Sequence, residues 1–245
     1  GTSQGVPVIA CPCDVCTKGS KKDHRLRSSV HVEQDGFHIN IDAGPDFRYQ
    51  LLRENIKNMD AILITHCHKD HIAGLDDVRS FNYIYKKAMD IYALQRDIEA
   101  IQREFSYAFA EVRYLGVPDI HTIPIGHEKF RMGNLEVIPL PVLHMKMEVL
   151  GFRIGDFSYL TDTNYIPGET LAKMAGSKII VLNALRKKPH PSHFCLDEAV
   201  RVLEFLRPEQ AYLTHISHLL GFHEEVEKEL PGFIHLAYDK LQIEI

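Results

Sequence analysis

Tryptophan is absent from the chain, cysteine is scarce, and no apolar run approaches the ~18 to 20 residues that a membrane span needs. Five cysteines in 245 residues are too few for a secreted disulfide scaffold. The opening Gly1-Thr2-Ser3-Gln4-Gly5 lacks the charged-then-apolar order of a secretory signal. A soluble, cytoplasmic protein without a membrane partner is the expectation. Excess positive charge is missing too: 28 basic against 33 acidic residues leave −5, so no overall positive field would hold a long phosphate backbone. A small anionic substrate stays open. Repeats, low-complexity tracts and linkers rich in Pro, Gly or Ser are also lacking, and 45% hydrophobic residues suffice for a sizeable core. Residues 1–245 therefore read as one domain.

What the chain has in abundance is histidine, 15 residues, several in short clusters. β-type runs recur at 29–32, 37–41, 61–65, 90–94, 135–140, 149–154, 157–160, 178–182 and 211–214. Helical spacing marks 46–53, 72–86, 95–105, 196–206 and 224–230. Gln34-Asp35-Gly36 and Ile154-Gly155-Asp156 read as hairpin turns, so the sheets contain antiparallel pairs, against a doubly wound parallel sheet. An α/β (α+β) chain with mixed sheets is expected. Polar residues gather where strands end: Asp42, the 66–71 segment, His144, Asp162 and His215. Five strand ends that each deliver a metal-type side chain imply one site along a common edge.

Thr65-His66-Cys67-His68-Lys69-Asp70-His71 packs three imidazoles and a carboxylate into six positions after a buried strand. His66 and His68 point the same way in an extended turn and can share one cation. Asp70 and His71, at the start of a helix, can turn toward a second. A second cluster, Cys11-Pro12-Cys13-Asp14-Val15-Cys16, offers three thiolates, and a closed tetrahedral zinc site needs a fourth ligand. His218, three residues after His215, is the candidate, set against a redox or merely buried cysteine trio.

In these motifs the chain resembles the metallo-β-lactamase fold hydrolases, which carry Asp42, the H-x-H-x-D-H of His66, His68, Asp70 and His71, then His144, Asp162 and His215 in this order. The resemblance implies an αββα sandwich of two mixed sheets. It also implies a dinuclear site in which His66, His68 and His144 hold one metal, Asp70, His71 and His215 the other, and Asp162 bridges them. Asp42 is expected to orient the ligand loop through hydrogen bonds. Lys69 departs from the small residue often found there. The C-x-C-x-x-C with a His three residues after the last active-site His is similar to the PhnP branch of cyclic phosphodiesterases, which implies a structural zinc on Cys11, Cys13, Cys16 and His218. Cys67 and Cys195 match nothing and read as small core residues. His193, before a helix and 22 residues ahead of His215, matches the phosphate-contacting, proton-donating His of these relatives.

Asp70, His193 and Asp42 are thus the residues expected to serve the chemistry. The resemblance implies hydrolysis of small or cyclic phosphodiesters by a hydroxide bridging two divalent ions, Zn or Mn or Fe, and no grip on long nucleic acid. A homodimer is compatible with the chain. Rival readings are a tRNA 3′-processing endoribonuclease, an ester, thioester or lactone hydrolase, and a non-catalytic metal-binding accessory protein. Against the nuclease, the interval 145–161 reads as strand, turn and strand, with no room for a tRNA-gripping arm. The stretch 83–114 reads as helix, strand and helix.

Overall fold

The computed structural model describes residues 1–112 and 114–245; Arg113, inside the 83–114 stretch, lies outside the described residues. The chain gathers into two units, Ser29–Leu135 and Gly1–Ser28 with Glu136–Ile245. Helix α1 (Asp14–Lys18) belongs to the latter.

The Ser29–Leu135 unit continues with β1 (Val30–Gln34), β2 (Phe37–Ile41), α2 (Phe47–Arg53), β3 (Ala61–Leu63) and α3 (Lys69–Ile72). It is completed by α4 (Arg79–Tyr85), β4 (Met89–Ala93), α5 (Gln95–Glu104), β5 (Ile120–Pro124) and β6 (Phe130–Met132). Strands β1 to β5 form a sheet in sequence order. The Asp35-Gly36 turn makes β1 and β2 antiparallel; β2 through β5 run parallel. β3 has neighbours on both sides, and its Ala61-Ile62-Leu63 are all buried. Ile62, Ile64 and Ile91 pack with Phe47, Leu75, Ile98 and Ile101 in this unit's core. Ile98 and Ile101 are three apart on α5, the spacing that lines one helical face.

The remaining elements are β7 (Leu135–His144), β8 (Met147–Ile154), β9 (Phe157–Leu160), α6 (Gly168–Met174) and β10 (Ile179–Asn183). After them come α7 (Leu196–Leu206), β11 (Gln210–Thr214), α8 (His223–Glu227) and β12 (Ile234–Leu236). Their strands lie in the order β12-β11-β10-β9-β8-β7. β7, β8 and β9 are antiparallel neighbours, while β9 to β12 run parallel. Leu160, Leu182 and Leu213 from the strands bury against Met174 of α6 and Ala199 and Leu203 of α7. Two mixed sheets with helices are the outcome, as expected, and 145–161 is indeed strand, turn and strand.

Two expectations are corrected, and four elements add to those expected. The helix over 72–86 is divided: α3 ends at Ile72, a 3₁₀ turn covers Leu75–Val78, and α4 starts at Arg79. Gly74 sits at the break, where an added Cβ would lie 2.1 Å from the Gly44 carbonyl oxygen and 2.7 Å from Phe47 Cβ, so only glycine allows this approach. β7 runs on to His144, past the expected end at 140. Pro139 and Pro141 are two apart, so their missing N–H groups fall on one side of the strand and leave the other side's ladder whole. Last, β5, β6, β12 and α6 carry too short or too broken an apolar pattern to stand out in sequence. Among the described residues no helix is long and apolar enough to cross a membrane.

Candidate metal centres

In the Ser29–Leu135 unit the strand ends β2 and β3 lie side by side, so Asp42 and Thr65 leave the sheet as neighbours. Asp42 is fully buried and adopts the left-handed backbone region at φ 65°, which turns its carboxylate back on the next loop. Its Oδ1 accepts the Thr65 N–H at 2.8 Å and its Oδ2 the Thr65 hydroxyl at 2.9 Å. His71 Nδ1 lies 2.6 Å from the same Oδ2. These bonds determine tautomers. His71 donates from Nδ1, which leaves the Nε2 lone pair for a cation. The Thr65 hydroxyl spends its proton on Asp42, so it accepts from His66 Nδ1 at 3.0 Å and leaves His66 Nε2 without a proton in the same way.

His66 Nε2 faces His68 Nδ1 at 3.0 Å, and His71 Nε2 faces Asp70 Oδ2 at 3.2 Å. Two nitrogens or a nitrogen and an oxygen at such spacing match adjacent ligands of a cation bound at ~2.0 to 2.2 Å. His66 and His71 are buried and His68 is exposed, which leaves a way in from solvent. Burial pushes the Asp42 carboxyl up, while the His71 charge and hydrogen bonds from His71 and Thr65 pull it back. Sequence reasoning missed Asp97. It is wholly buried in the first turn of α5, and its Oδ1 accepts the Cys67 N–H at 3.1 Å, between the two candidate ligands His66 and His68. A carboxylate thirty residues away in sequence gives no local signal for this contact. Cys67, read as a small core residue, is half-buried beside it.

In the other unit, β7 delivers His144, the β9 end delivers Asp162 and the β11 end delivers His215. Asp162 and His215 both sit at positive φ, 51° and 53°, a backbone state that costs about 1–3 kcal/mol for a non-glycine residue and concentrates at functional sites. The surroundings hold the loop there. Thr161 Oγ1 donates to Asp162 Oδ2 at 2.6 Å. Buried Asn183 clamps Thr163 by accepting its N–H at 2.9 Å and donating to its carbonyl at 3.0 Å. His144 Nδ1 donates to the Ser192 carbonyl at 2.8 Å, so its Nε2 carries no proton and offers a lone pair. His215 Nδ1 lies 3.2 Å from Asp162 Oδ2 and 3.4 Å from Ser28 Oγ.

His193 completes the group. One nitrogen or oxygen from each of His144, Asp162 and His193 lies within 4.8 Å of the others, and the His193 ring is 4.7 Å from that of His144 and 5.0 Å from that of His215. Its buried Nδ1 has no hydrogen-bond partner among the described residues. Burial drives the His193 pKa down to about 3, against the pull of Asp162 and with the push of His215, His144 and His190. The imidazole thus takes up a proton less readily than an exposed one.

The cysteine cluster also lies within this unit. Cys11, Cys13 and Cys16 Sγ are 3.3, 3.3 and 3.4 Å from His218 Nδ1. A tetrahedral zinc with bonds of ~2.3 Å to sulfur and ~2.0 Å to nitrogen requires nearly this separation, so the four donors fit the ion. The Cys16 backbone N–H and the His218 imidazole pull the Cys13 thiol down to about 6, toward the thiolate that a metal needs. All five cysteines are free thiols.

A model of the β-lactamase superfamily domain matches residues 38–216. A crystal structure of a diphosphatase from the PhnP family is 43% identical, with a TM-score of 0.93, covering 100% of this chain and 94% of that one. The octanoyltransferase of Porphyromonas gingivalis is 35% identical over 245 residues, 99% of this chain but 49% of the relative. The chain thus spans about half the length of that curated relative. Human tRNase Z, short form, shares the fold at 20% identity and a TM-score of 0.68, with 90% of this chain and 93% of that chain covered.

Proposed function

From a chain that belongs to the metallo-β-lactamase superfamily, and within it to the PhnP-like branch, we infer a dinuclear metal-dependent hydrolase of small phosphodiesters, cyclic ones included. Metal-dependent hydrolysis is the family's chemistry; the ion count and substrate class are proposed. We take 1–245 as one hydrolase domain, in which His66, His68 and His144 would hold one ion, Asp70, His71 and His215 the other, with Asp162 as a ligand shared between them. The donors suit divalent zinc, manganese or iron, and Cys11, Cys13, Cys16 and His218 suit a structural zinc. Unpaired thiols and an acidic net charge favour a reducing, cytoplasmic setting.

When bound, the ions supply Lewis acidity toward phosphoryl oxygens and lower the pKa of water. The chain's own groups do the rest. Asp42 and Thr65 hold His71 and His66 in the tautomers that present Nε2, and the Ser192 carbonyl does so for His144. Asp162, braced by Thr161 and the Asn183 clamp, keeps its carboxylate 3.2 Å from His215 Nδ1. His193 carries the phosphodiester reading: a buried imidazole with an unbonded Nδ1, 3.8 Å from Asp162, suits an oxygen of a bound phosphoryl group. It donates an N–H hydrogen bond to that oxygen; the bound anion's charge then favours its protonation, and the proton passes to the leaving alkoxide.

The direct comparison is hydrolysis of bis(p-nitrophenyl) phosphate and ribose cyclic phosphates against 3′-extended tRNA over a salt series. Turnover of the small diesters with weak salt dependence is expected. Efficient tRNA cleavage that collapses with salt, beside poor small-diester activity, would replace this proposal with the nuclease. The octanoyltransferase relative supports a second reading, hydrolysis of an acyl thioester. That name belongs to a protein twice as long as the matched stretch. Octanoyl-thioester hydrolysis without phosphodiester turnover would put the acyl reading first, and ion binding with neither activity would favour an accessory role.

A further inference from the structure

The β1–β2 pair of the Ser29–Leu135 unit carries two histidines that neither candidate centre uses. His31 of β1 lies opposite Asn40 of β2, and Glu33 opposite His38. Alternate residues of a strand share a face, so His31, Glu33, His38 and Asn40 stand on one side of the pair. Ile39 and Ile41, wholly buried, take the other side.

His31 Nε2 and His38 Nδ1 face each other at 3.2 Å, close to the 3.0 Å between the same two nitrogen types of His66 and His68. With bonds of ~2.0 to 2.1 Å to one ion, such a separation subtends about 100°, near a tetrahedral angle. Glu33 Oε2 lies 3.9 Å from His38 Nδ1, and its side chain is 62% exposed against 14% for His38, so a rotation in solvent brings a carboxylate oxygen to the same ion. The hydrogen bond that joins the two rings without an ion leaves His31 Nδ1 buried and without a partner among the described residues. Asn40 supplies the remedy. Its Nδ2 donates to Ser29 Oγ at 2.8 Å and to the Asp42 carbonyl at 2.7 Å. Burial and the His38 charge push the His31 pKa below its ordinary 6.5, while the Asn40 side chain and the Glu33 charge pull it back; Asn40 thus faces the imidazole with its oxygen. When an ion takes the Nε2 lone pair, the His31 proton moves to Nδ1, where Asn40 Oδ1 is the acceptor.

We propose that His31, His38 and Glu33 form a further cation site, apart from the catalytic cluster and from the cysteine cluster, for divalent zinc, with nickel and copper as substitutes. Two imidazoles and one carboxylate suit these ions, and water completes the coordination on the open side. The ion clips β1, the edge strand of its sheet, to β2. The same strand pair holds Asp42 in place, because Ser29 Oγ donates to the Asp42 carbonyl at 3.0 Å beside the Asn40 bond. The site stabilises this pair and is independent of which ester the enzyme cleaves.

The test starts from full-length protein saturated with zinc, freed of excess and titrated with more zinc by calorimetry, beside His38→Asn, Glu33→Gln and, as a control on β5, His121→Asn. Wild type and His121→Asn should take up one further equivalent with micromolar affinity. His38→Asn should weaken that binding by about tenfold or more, and Glu33→Gln by about two- to tenfold. The denaturation midpoint should rise with the added equivalent in wild type and stay put in His38→Asn. No further equivalent in wild type, equal uptake in His38→Asn, or a loss confined to His121→Asn would overturn the site. If His38→Asn does not fold, paramagnetic nickel added to the zinc-saturated wild type decides. It should broaden the ring resonances of His31 and His38 before that of His121, and the reverse order refutes the proposal.

Discussion

Single side chains in this protein act by fixing which nitrogen of a histidine carries the proton. Asp42, Thr65 and the Ser192 carbonyl each occupy one ring nitrogen, and the opposite nitrogen is what an ion meets. Asp97 works one step farther back, on the backbone between His66 and His68. Asp97→Ala should weaken ion retention by about ten- to a hundredfold, as loss of an outer partner does, whereas Cys67→Ala keeps the bonded amide and should change it little. Competition with a chelator, with the visible spectrum of the cobalt-loaded protein as a geometric readout, checks both. Asp162→Ala and His68→Ala should abolish turnover, while His193→Ala keeps its metal content and lowers kcat by about 10²-fold or more. An unchanged rate for that variant on substrates with poor leaving groups would remove His193 from proton donation. The six-residue spacing of His66 to His71 made this cluster legible in sequence; Asp97 and Asn183 were not, because their partners lie 30 and 20 residues away.

At the scale of elements, the fold places these residues by ending strands sharply. Asp42, Asp162 and His215 all take left-handed backbone conformations, and β2, β9 and β11 each stop just before one. Gly74 lets the α3 end close on the loop after β2, where its N–H donates to the Ala43 carbonyl at 2.8 Å. Gly74→Ala should cost about 1–3 kcal/mol, as overpacking against backbone does, seen as a lower denaturation midpoint together with weaker ion binding. At the other end, α1 begins right after Cys13 and carries Cys16 in its first turn, so three thiolates converge from six residues. Cys13→Ser should remove one tightly held zinc equivalent and lower stability by several kcal/mol. An unchanged metal count and midpoint would dismiss the zinc. The amphipathic stripes of α5 and α7 were plain in sequence. The break at Gly74 was not, since a 3.6-residue period continues through it and only contact with Gly44 and Phe47 forbids a straight helix.

At the scale of the molecule, the two chain ends meet within one unit around buried Arg25, which donates to the Ala237 carbonyl and, at 3.0 Å, to His223 Nδ1. Asp23 accepts the His223 N–H at 2.7 Å. Burial pushes His223 below its ordinary 6.5, with the Arg25 charge adding to it, so the unfolded chain takes up this proton first. Stability from this group is intact above 6.5 and is lost as pH falls below it. Asp23 is shifted below 3.8: desolvation is its largest influence and opposes the shift, while hydrogen bonds from His223 and Ser20 and the Arg25 charge overcome it. Its contribution is lost at lower pH still. Chemical denaturation from pH 7 to 5 should show a falling midpoint that flattens in His223→Gln; equal slopes would exclude the imidazole as the cause. What the sequence determined by itself was chemical: which residue types can hold a cation, in what order, and which apolar runs become strands with polar groups at their ends. Those follow from periodicity and spacing, which are local. The tertiary structure alone decided which ring nitrogen each histidine offers, that burial and neighbouring imidazoles push the His193 pKa down, and that His190 stands beside it. Each of these depends on burial and on partners brought near by chain folding, and a linear pattern records neither.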